Sequence, residues 1–301
     1  MTIRDLLQLG KIFALTLIAW CVPPRFWRNA AATTGRFGGV DRCWPVYEQI
    51  LGQKFSRSEI VAISARRHIY RRELKLQILG LNGPWRRWRP DIRLNGEVHL
   101  RIALERAHGA ILWVLETSFS TLIVKMALHN AGYSTVQLSR AGHGFSNTFF
   151  GIRFLNKIWT RVENRFIAER VVIVGENANE AMRLLRTRLA KNGIVIITVA
   201  SSAHKFASVP FFNKQLELPT GPIRLALATG ATLLPVFAVT EANGEFEVSI
   251  EEPLYPSSNP ATIEDIAAAY AKRLEPFVLK HPDQWTGWDW LGGRMRPRPS
   301  C

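Results

Sequence analysis

Cysteine, acidic charge and nucleotide-binding glycine patterns are scarce or missing in this sequence. Its three cysteines, Cys21, Cys43 and Cys301, lie far apart, with no CxxC pair and no metal-ligand spacing. That argues against a disulfide framework and favours a reducing, cytoplasmic setting. Neither a GxGxxG run nor a Walker sequence occurs, so nothing marks a nucleotide-phosphate site. No internal repeat and no low-complexity linker divides the chain. Apolar runs are also short: KIFALTLIAWCV, residues 11–22, stops at Pro23-Pro24 after about a dozen residues, where a spanning helix needs roughly 20. No small-x-small cleavage site follows it promptly, so it is not read as a signal peptide.

What is present is a basic, globular composition. The 301 residues are 47% hydrophobic and 21% charged, which suits one large core and excludes general disorder. Lysine and arginine number 39 against 24 acids, a formal charge of +15. Such a surface favours anionic partners: phospholipid headgroups, acidic carrier proteins or nucleic acid. The residues after the prolines, Arg25-Phe-Trp-Arg28, mix cations with aromatics as interfacial anchors do. We therefore expect the N-terminal segment to be a helix lying in, or dipping into, the cytoplasmic face of a membrane. The loop Trp85, Arg86, Arg87, Trp88, Arg89 has the same interfacial chemistry. It would also suit single-stranded nucleic acid, but no RNA-binding signature accompanies it and nucleic acid is not the expected partner.

Residues 1–95 read as a helical arm, with Ser56 capping a helix over 56–74 and GPWRRWRP (83–90) breaking it. Beyond it the pattern alternates. Strand-like runs fall at 110–115, 134–138, 171–174, 194–199, 233–239 and 246–250; helices are expected at 119–131, 179–191, 221–229 and 263–279. Near-continuous Val/Ile/Leu runs alternating with helices predict an α/β domain over 96–301 with a largely parallel central sheet. Within it, Pro219-Thr-Gly-Pro222 should start a helix, with Thr220 as cap, and Gly230 should end it.

The segment VPFFNKQLELPTGPIRLALATGATLLPVFAV (209–239), with GEFEVSIEEPLY after it and HPDQWTGWDW (281–290) near the end, resembles the bacterial lipid A biosynthesis acyltransferases. These lauroyl and myristoyl transferases belong to the lysophospholipid acyltransferase superfamily. The resemblance implies a glycerol-phosphate acyltransferase-like fold and transfer of a fatty acyl group from an acyl carrier protein or coenzyme A thioester. The acceptor would be a hydroxyl or amine of a glycolipid, lysolipid or similar molecule at the bacterial inner membrane, with no further cofactor and no metal. The family's signature is a histidine with an acid five positions later, at a strand-to-helix seam. The imidazole removes the acceptor's proton and the carboxylate orients it.

This sequence departs from that signature. In LETSFSTL, Glu116 stands at the histidine position and Thr121 at the acid position. The literal spacing recurs in HIYRRE (His68 to Glu73), which reads as a coincidence on a basic helix. Three roles are open to Glu116: a general base, a cap for the following helix with Thr117 or Ser118, or an orienting acid for a histidine supplied from elsewhere. The first choice for that histidine is His143, between Gly142 and Gly144 after the second strand. Glu116, His143 and Thr121 are thus the candidate catalytic residues. Ser118, Arg140, Ser146, Arg153, Ser202, His204 and Lys205 are candidates for substrate binding; the last three sit where the family often carries acidic residues. Arg161, Arg165 and Arg170 lie among Glu163 and Glu169 and are shared between phosphate binding and helix salt bridges. An inactive relative that kept the fold to bind lipid or carrier protein is the alternative to an enzyme.

Overall fold

The computed structural model describes residues 3–33, 41–84, 88–173, 178–198, 205–254 and 261–297. The chain opens with α1 (Ile3–Cys21), α2 (Trp27–Thr33), α3 (Trp44–Leu51) and α4 (Arg57–Asn82). α4 begins at a capping box: Ser56 accepts from the Glu59 backbone N–H while the Glu59 carboxylate accepts from that of Ser56. A seven-stranded sheet follows, built from β1 (Ile92–Asn95), α5 (Glu97–Glu105), β2 (Ala110–Val114), α6 (Ser120–Asn130), β3 (Thr135–Arg140), α7 (Asn156–Glu163), β4 (Glu169–Ile173), α8 (Ala178–Ala190) and β5 (Ile194–Thr198). A hairpin of β6 (Phe206–Phe211) and β7 (Lys214–Pro219) interrupts it. Then come α9 (Gly221–Thr229), β8 (Thr232–Thr240), β9 (Phe246–Ile250), α10 (Ile263–Lys280), α11 (Trp288–Arg294) and β10 (Met295–Pro297).

The large sheet runs β1-β9-β8-β2-β5-β3-β4, and β6, β7 and β10 form a small antiparallel sheet beside it. Strands β8, β2, β5, β3 and β4 are mutually parallel, whereas β9 pairs antiparallel with β8. The expected largely parallel sheet is therefore present. Parallel strands are covered on both faces, which is why β2 and β8 are buried at every position and read as unbroken apolar runs. Alternate residues serve two cores. Ile111 and Trp113 face α8, α9 and α10, with Trp113 stacked on Tyr270 at 4.0 Å; Leu112 and Val114 face α4, α5, α6 and α7.

The first four residues of the sheet, β1, were not expected as a strand, and neither was the β6–β7 hairpin. At α9 the expected Pro222 and Gly230 are in place, and Gly230 closes the helix at φ +73. Thr220, however, is no side-chain cap: its hydroxyl donates to the Lys205 carbonyl at 3.2 Å instead.

Candidate active site at the carboxyl edge

From β2 the chain crosses through α6 on one face of the sheet to β3; from the adjacent β5 it crosses back through α9 on the other face to β8. Connections that leave in opposite directions open a crevice at the carboxyl ends of the two strands, where open α/β sheets bind ligands. Glu116 is two residues past the end of β2, at that switch point.

The C-terminal tryptophan-rich segment fastens this seam. The Gln284 side chain exchanges two hydrogen bonds with the Thr240 backbone, each 2.8 Å, at the end of β8. The Gln284 carbonyl accepts from the Ser118 N–H at 2.8 Å, and Thr286 donates to the Glu116 carbonyl from its N–H (3.0 Å) and its hydroxyl (2.7 Å). Buried Trp285 and Trp288 anchor the segment, their rings 4.8 Å apart. Gly287 is required there, because a Cβ would meet the Trp285 ring at 2.2 Å.

These bonds hold the Glu116 backbone and leave its side chain alone. Among the described residues its half-buried carboxylate has no hydrogen-bond partner. Burial raises its pKa to about 7; the Asp289 carboxylate adds repulsion, and Arg71 offsets part of it. Asp289 is itself held by Arg67 at 2.6 Å and Arg71 at 3.3 Å. The capping role does not describe Glu116: the helix that follows has no side-chain cap, and the Thr117 N–H goes to the Ser120 hydroxyl at 3.0 Å. Thr121, in the first turn of α6, has a buried hydroxyl with no partner among the described residues.

His143 lies on the same edge, past the end of β3, but its carboxylate partner is Glu163 of α7. The His143 Nε2 is 3.0 and 2.9 Å from the two Glu163 oxygens. Lys125 (3.0 Å), Arg170 (2.7 Å) and the Trp159 indole (2.9 Å) reach the same carboxylate. Glu163 and Lys125 are fully buried. Burial opposes ionisation of Glu163, but Lys125, His143 and Arg170 overcome it and hold the carboxyl well below its ordinary range. Burial lowers the Lys125 ammonium to about 8, with Glu163 pulling it back up. With Nε2 turned to Glu163, Nδ1 is the ring atom left to meet a ligand.

The other candidates separate. Ser118 is buried and bonded to Gln284, and Ser146 is tied to Asn156 and Thr148. Arg140, Arg153 and Lys205 are exposed; Ser202 and His204 lie outside the described residues. Arg170 is bound to Glu163, Ser139 and Asn164, and Arg165 to the Leu81 carbonyl at 2.8 Å. His68 and Glu73 turn away from each other, His68 to Asp41 (3.3 Å) and Glu73 to Arg28 (2.9 Å), as five helical positions require. Sequence reasoning passed over Lys125, Glu163, Asp289 and Gln284. A lysine inside the apolar helix STLIVKMAL was the available signal, since a buried ammonium demands a carboxylate.

The family model for bacterial lipid A biosynthesis acyltransferases matches residues 131–296, more than half of the chain. The chain belongs to that family. The matched residues begin after the Glu116 seam and include His143, Glu163, the α9–β8 segment and the C-terminal clamp. The phosphatidylinositol mannoside acyltransferases of two Mycobacterium tuberculosis strains, H37Rv and CDC 1551, are each 33% identical over 107 residues, which is 34% of this chain and 32% of theirs. The match thus spans about a third of these curated relatives. The crystal structure of the 1-acyl-sn-glycerophosphate acyltransferase PlsC from Thermotoga maritima aligns over 90% of this chain and 96% of that one, at 12% identity and a TM-score of 0.37.

Proposed function

We propose that this family member moves a fatty acyl group from an acyl carrier protein or coenzyme A thioester to a hydroxyl or amine of a lipid-like acceptor. Glu116 acts as the base, at the cytoplasmic face of the bacterial inner membrane. The observation that carries this reading is Glu116 itself: a carboxyl at the switch point, clamped through its backbone, without a side-chain hydrogen-bond partner among the described residues, and raised to about 7. A general base works best with its pKa near the working pH.

Its carboxylate takes the proton from the acceptor O–H as that oxygen attacks the thioester carbonyl. The C–S bond then breaks, and the thiolate leaves with the proton returned from Glu116. On this scheme the two departures from the family signature are one change. An imidazole has two nitrogens and needs an acid to fix its tautomer. A carboxylate has no tautomer to fix, so once Glu116 replaces the histidine, an acid at Thr121 has no task.

Purified protein offered both thioesters with a panel of lysolipid and glycolipid acceptors should release free thiol. Glu116→Gln should lower turnover by about 10²- to 10⁴-fold, and kcat/KM should rise with pH through about 7. The second reading, a relative that binds lipid or carrier without turnover, is favoured by the engagement of His143 with Glu163, which leaves no described imidazole bonded to Glu116. Wild-type protein that releases no thiol across the panel selects that reading. Full turnover by Glu116→Gln removes Glu116 as the base.

A further inference from the structure

We infer that Asp289 is a positioning residue for Glu116, gripped by the buried Arg67 of α4 and tied to the Glu116 backbone through the Thr286 clamp. Its role rests on the function proposed above, in which Glu116 is the base.

The clamp at the seam, Gln284 to Thr286, is held by α4 on both sides. Before it, Asp283 accepts from Arg66 at 2.6 Å; after it, Asp289 meets Arg67 at 2.6 Å and Arg71 at 3.3 Å. Arg67 and Arg71 stand four positions apart, so one face of α4 presents both to a single carboxylate. Thr286 donates to the Glu116 carbonyl, and the Thr286 carbonyl in turn accepts from the Asp289 N–H at 3.1 Å. Two hydrogen bonds thus join the Asp289 backbone to that of Glu116.

The grip on Asp289 is stronger than a surface ion pair. Arg67 is fully buried and also reaches Asp41 (3.6 Å) and the Tyr47 hydroxyl (3.3 Å), while the Cys43 thiol donates to Asp289 at 3.6 Å. A buried guanidinium requires its carboxylates, whereas an exposed pair such as Arg71 with Asp289 alone would hold α11 only weakly.

The two brackets of the clamp differ in what reaches the Glu116 carboxyl. Among the described residues the charged groups that act on it are Asp289, which repels its anion, and Arg71, which favours it; Asp283 is not one of them. Asp289 therefore steadies the clamp as Asp283 does, and adds a fixed negative charge at the seam. That charge keeps the base protonated to higher pH, and Arg71 opposes it.

The titration of Glu116, read in two ways, tests this. The pH dependence of kcat/KM reports it through turnover. The NMR resonance of its carboxyl carbon, assigned by its loss in Glu116→Gln, reports it without any thioester. Asp289→Asn should lower both midpoints by about half a pH unit or more, and Arg71→Gln should raise them. Asp283→Asn removes the other bracket and should leave both midpoints in place. Asp289→Asn takes a carboxylate from buried Arg67 and should melt below wild type. Arg71→Gln alters a largely exposed side chain and should fold as wild type does, so the raised midpoint is measurable in any case. Midpoints that stay at the wild-type value in Asp289→Asn and Arg71→Gln overturn the positioning role. An equal shift in Asp283→Asn overturns it too, because loosening the clamp alone would then move the midpoint. A carboxyl midpoint that moves as stated, in protein that never consumes a thioester, supports Asp289 as the group that sets Glu116 and removes the acyl-transfer reading.

Discussion

Two glutamates at one edge of the sheet, Glu116 after β2 and Glu163 beneath the β3 exit, have opposite electrostatics for a simple reason. Both are withdrawn from water, which penalises a carboxylate. Glu163 meets four donors, from Lys125, His143, Trp159 and Arg170, and stays ionised far below its ordinary pKa. Glu116 meets none among the described residues and rises to about 7. Burial with partners makes a strut; burial without them makes a group able to take up and release a proton at neutral pH. The fold holds the Glu116 backbone through Thr286, and no described residue hydrogen-bonds its side chain.

The largest effect should come from removing the strut. Glu163→Ala leaves Lys125 and Arg170 buried without their shared counter-charge, and breaking such a pair costs about 3–5 kcal/mol. Denaturant titration of the variant should show a loss of that size. A loss below about 1 kcal/mol would mean that water or another acid already serves the two cations, and the contrast between the glutamates would fail.

A smaller effect with a diagnostic sign comes from pH. The raised Glu116 pKa means that the folded state favours the protonated acid. Its stabilising contribution is full below the unfolded value near 4.5 and is lost as pH rises through about 7. Glu163 runs the other way: its contribution is present above the ordinary carboxyl range and fades as pH falls below it. Glu116→Gln should therefore gain stability over wild type between about pH 5 and 8, by about 2 kcal/mol at the upper end for a half-buried group. In melting curves across that range the Glu116→Gln advantage should grow with pH, while the Glu163→Gln deficit stays flat and shrinks only below about pH 4.5. Equal slopes would contradict the assignment.

How much of this was legible in the sequence follows from the range of each interaction. The central strands and their helices could be read because burial on both faces writes unbroken apolar runs. β1 and the β6–β7 hairpin could not, because short, half-exposed strands carry weak patterns and Pro210 reads as a strand breaker. The seam at Glu116 was visible as an acid ending a core strand. Its environment was not, since Asp289, Thr286 and Gln284 arrive from about 170 residues away. His143 was visible between its glycines, but its partner lay in α7, and a helical glutamate among arginines looks like a surface ion pair until the helix is placed. Arg170 shows the same failure in reverse, since a candidate phosphate ligand proves to be a structural cation.

The smallest expected effect sharpens the comparison where the family's acid is missing. The Thr121 hydroxyl is buried in the first turn of α6 and unpartnered among the described residues. An unsatisfied buried hydroxyl costs stability, and replacing it with a methyl of the same shape removes that cost. Thr121→Val keeps the β-branched side chain and should therefore leave the protein equally stable or stabilise it by up to about 1 kcal/mol. If Glu116 works without an orienting acid, turnover in the variant should match wild type at every pH. A tenfold fall in kcat with unchanged KM would show instead that the hydroxyl donates to charge that develops only in the transition state. In that case the unpartnered hydroxyl is an unfilled donor waiting for the reacting oxygen, and the acid position has been converted rather than lost.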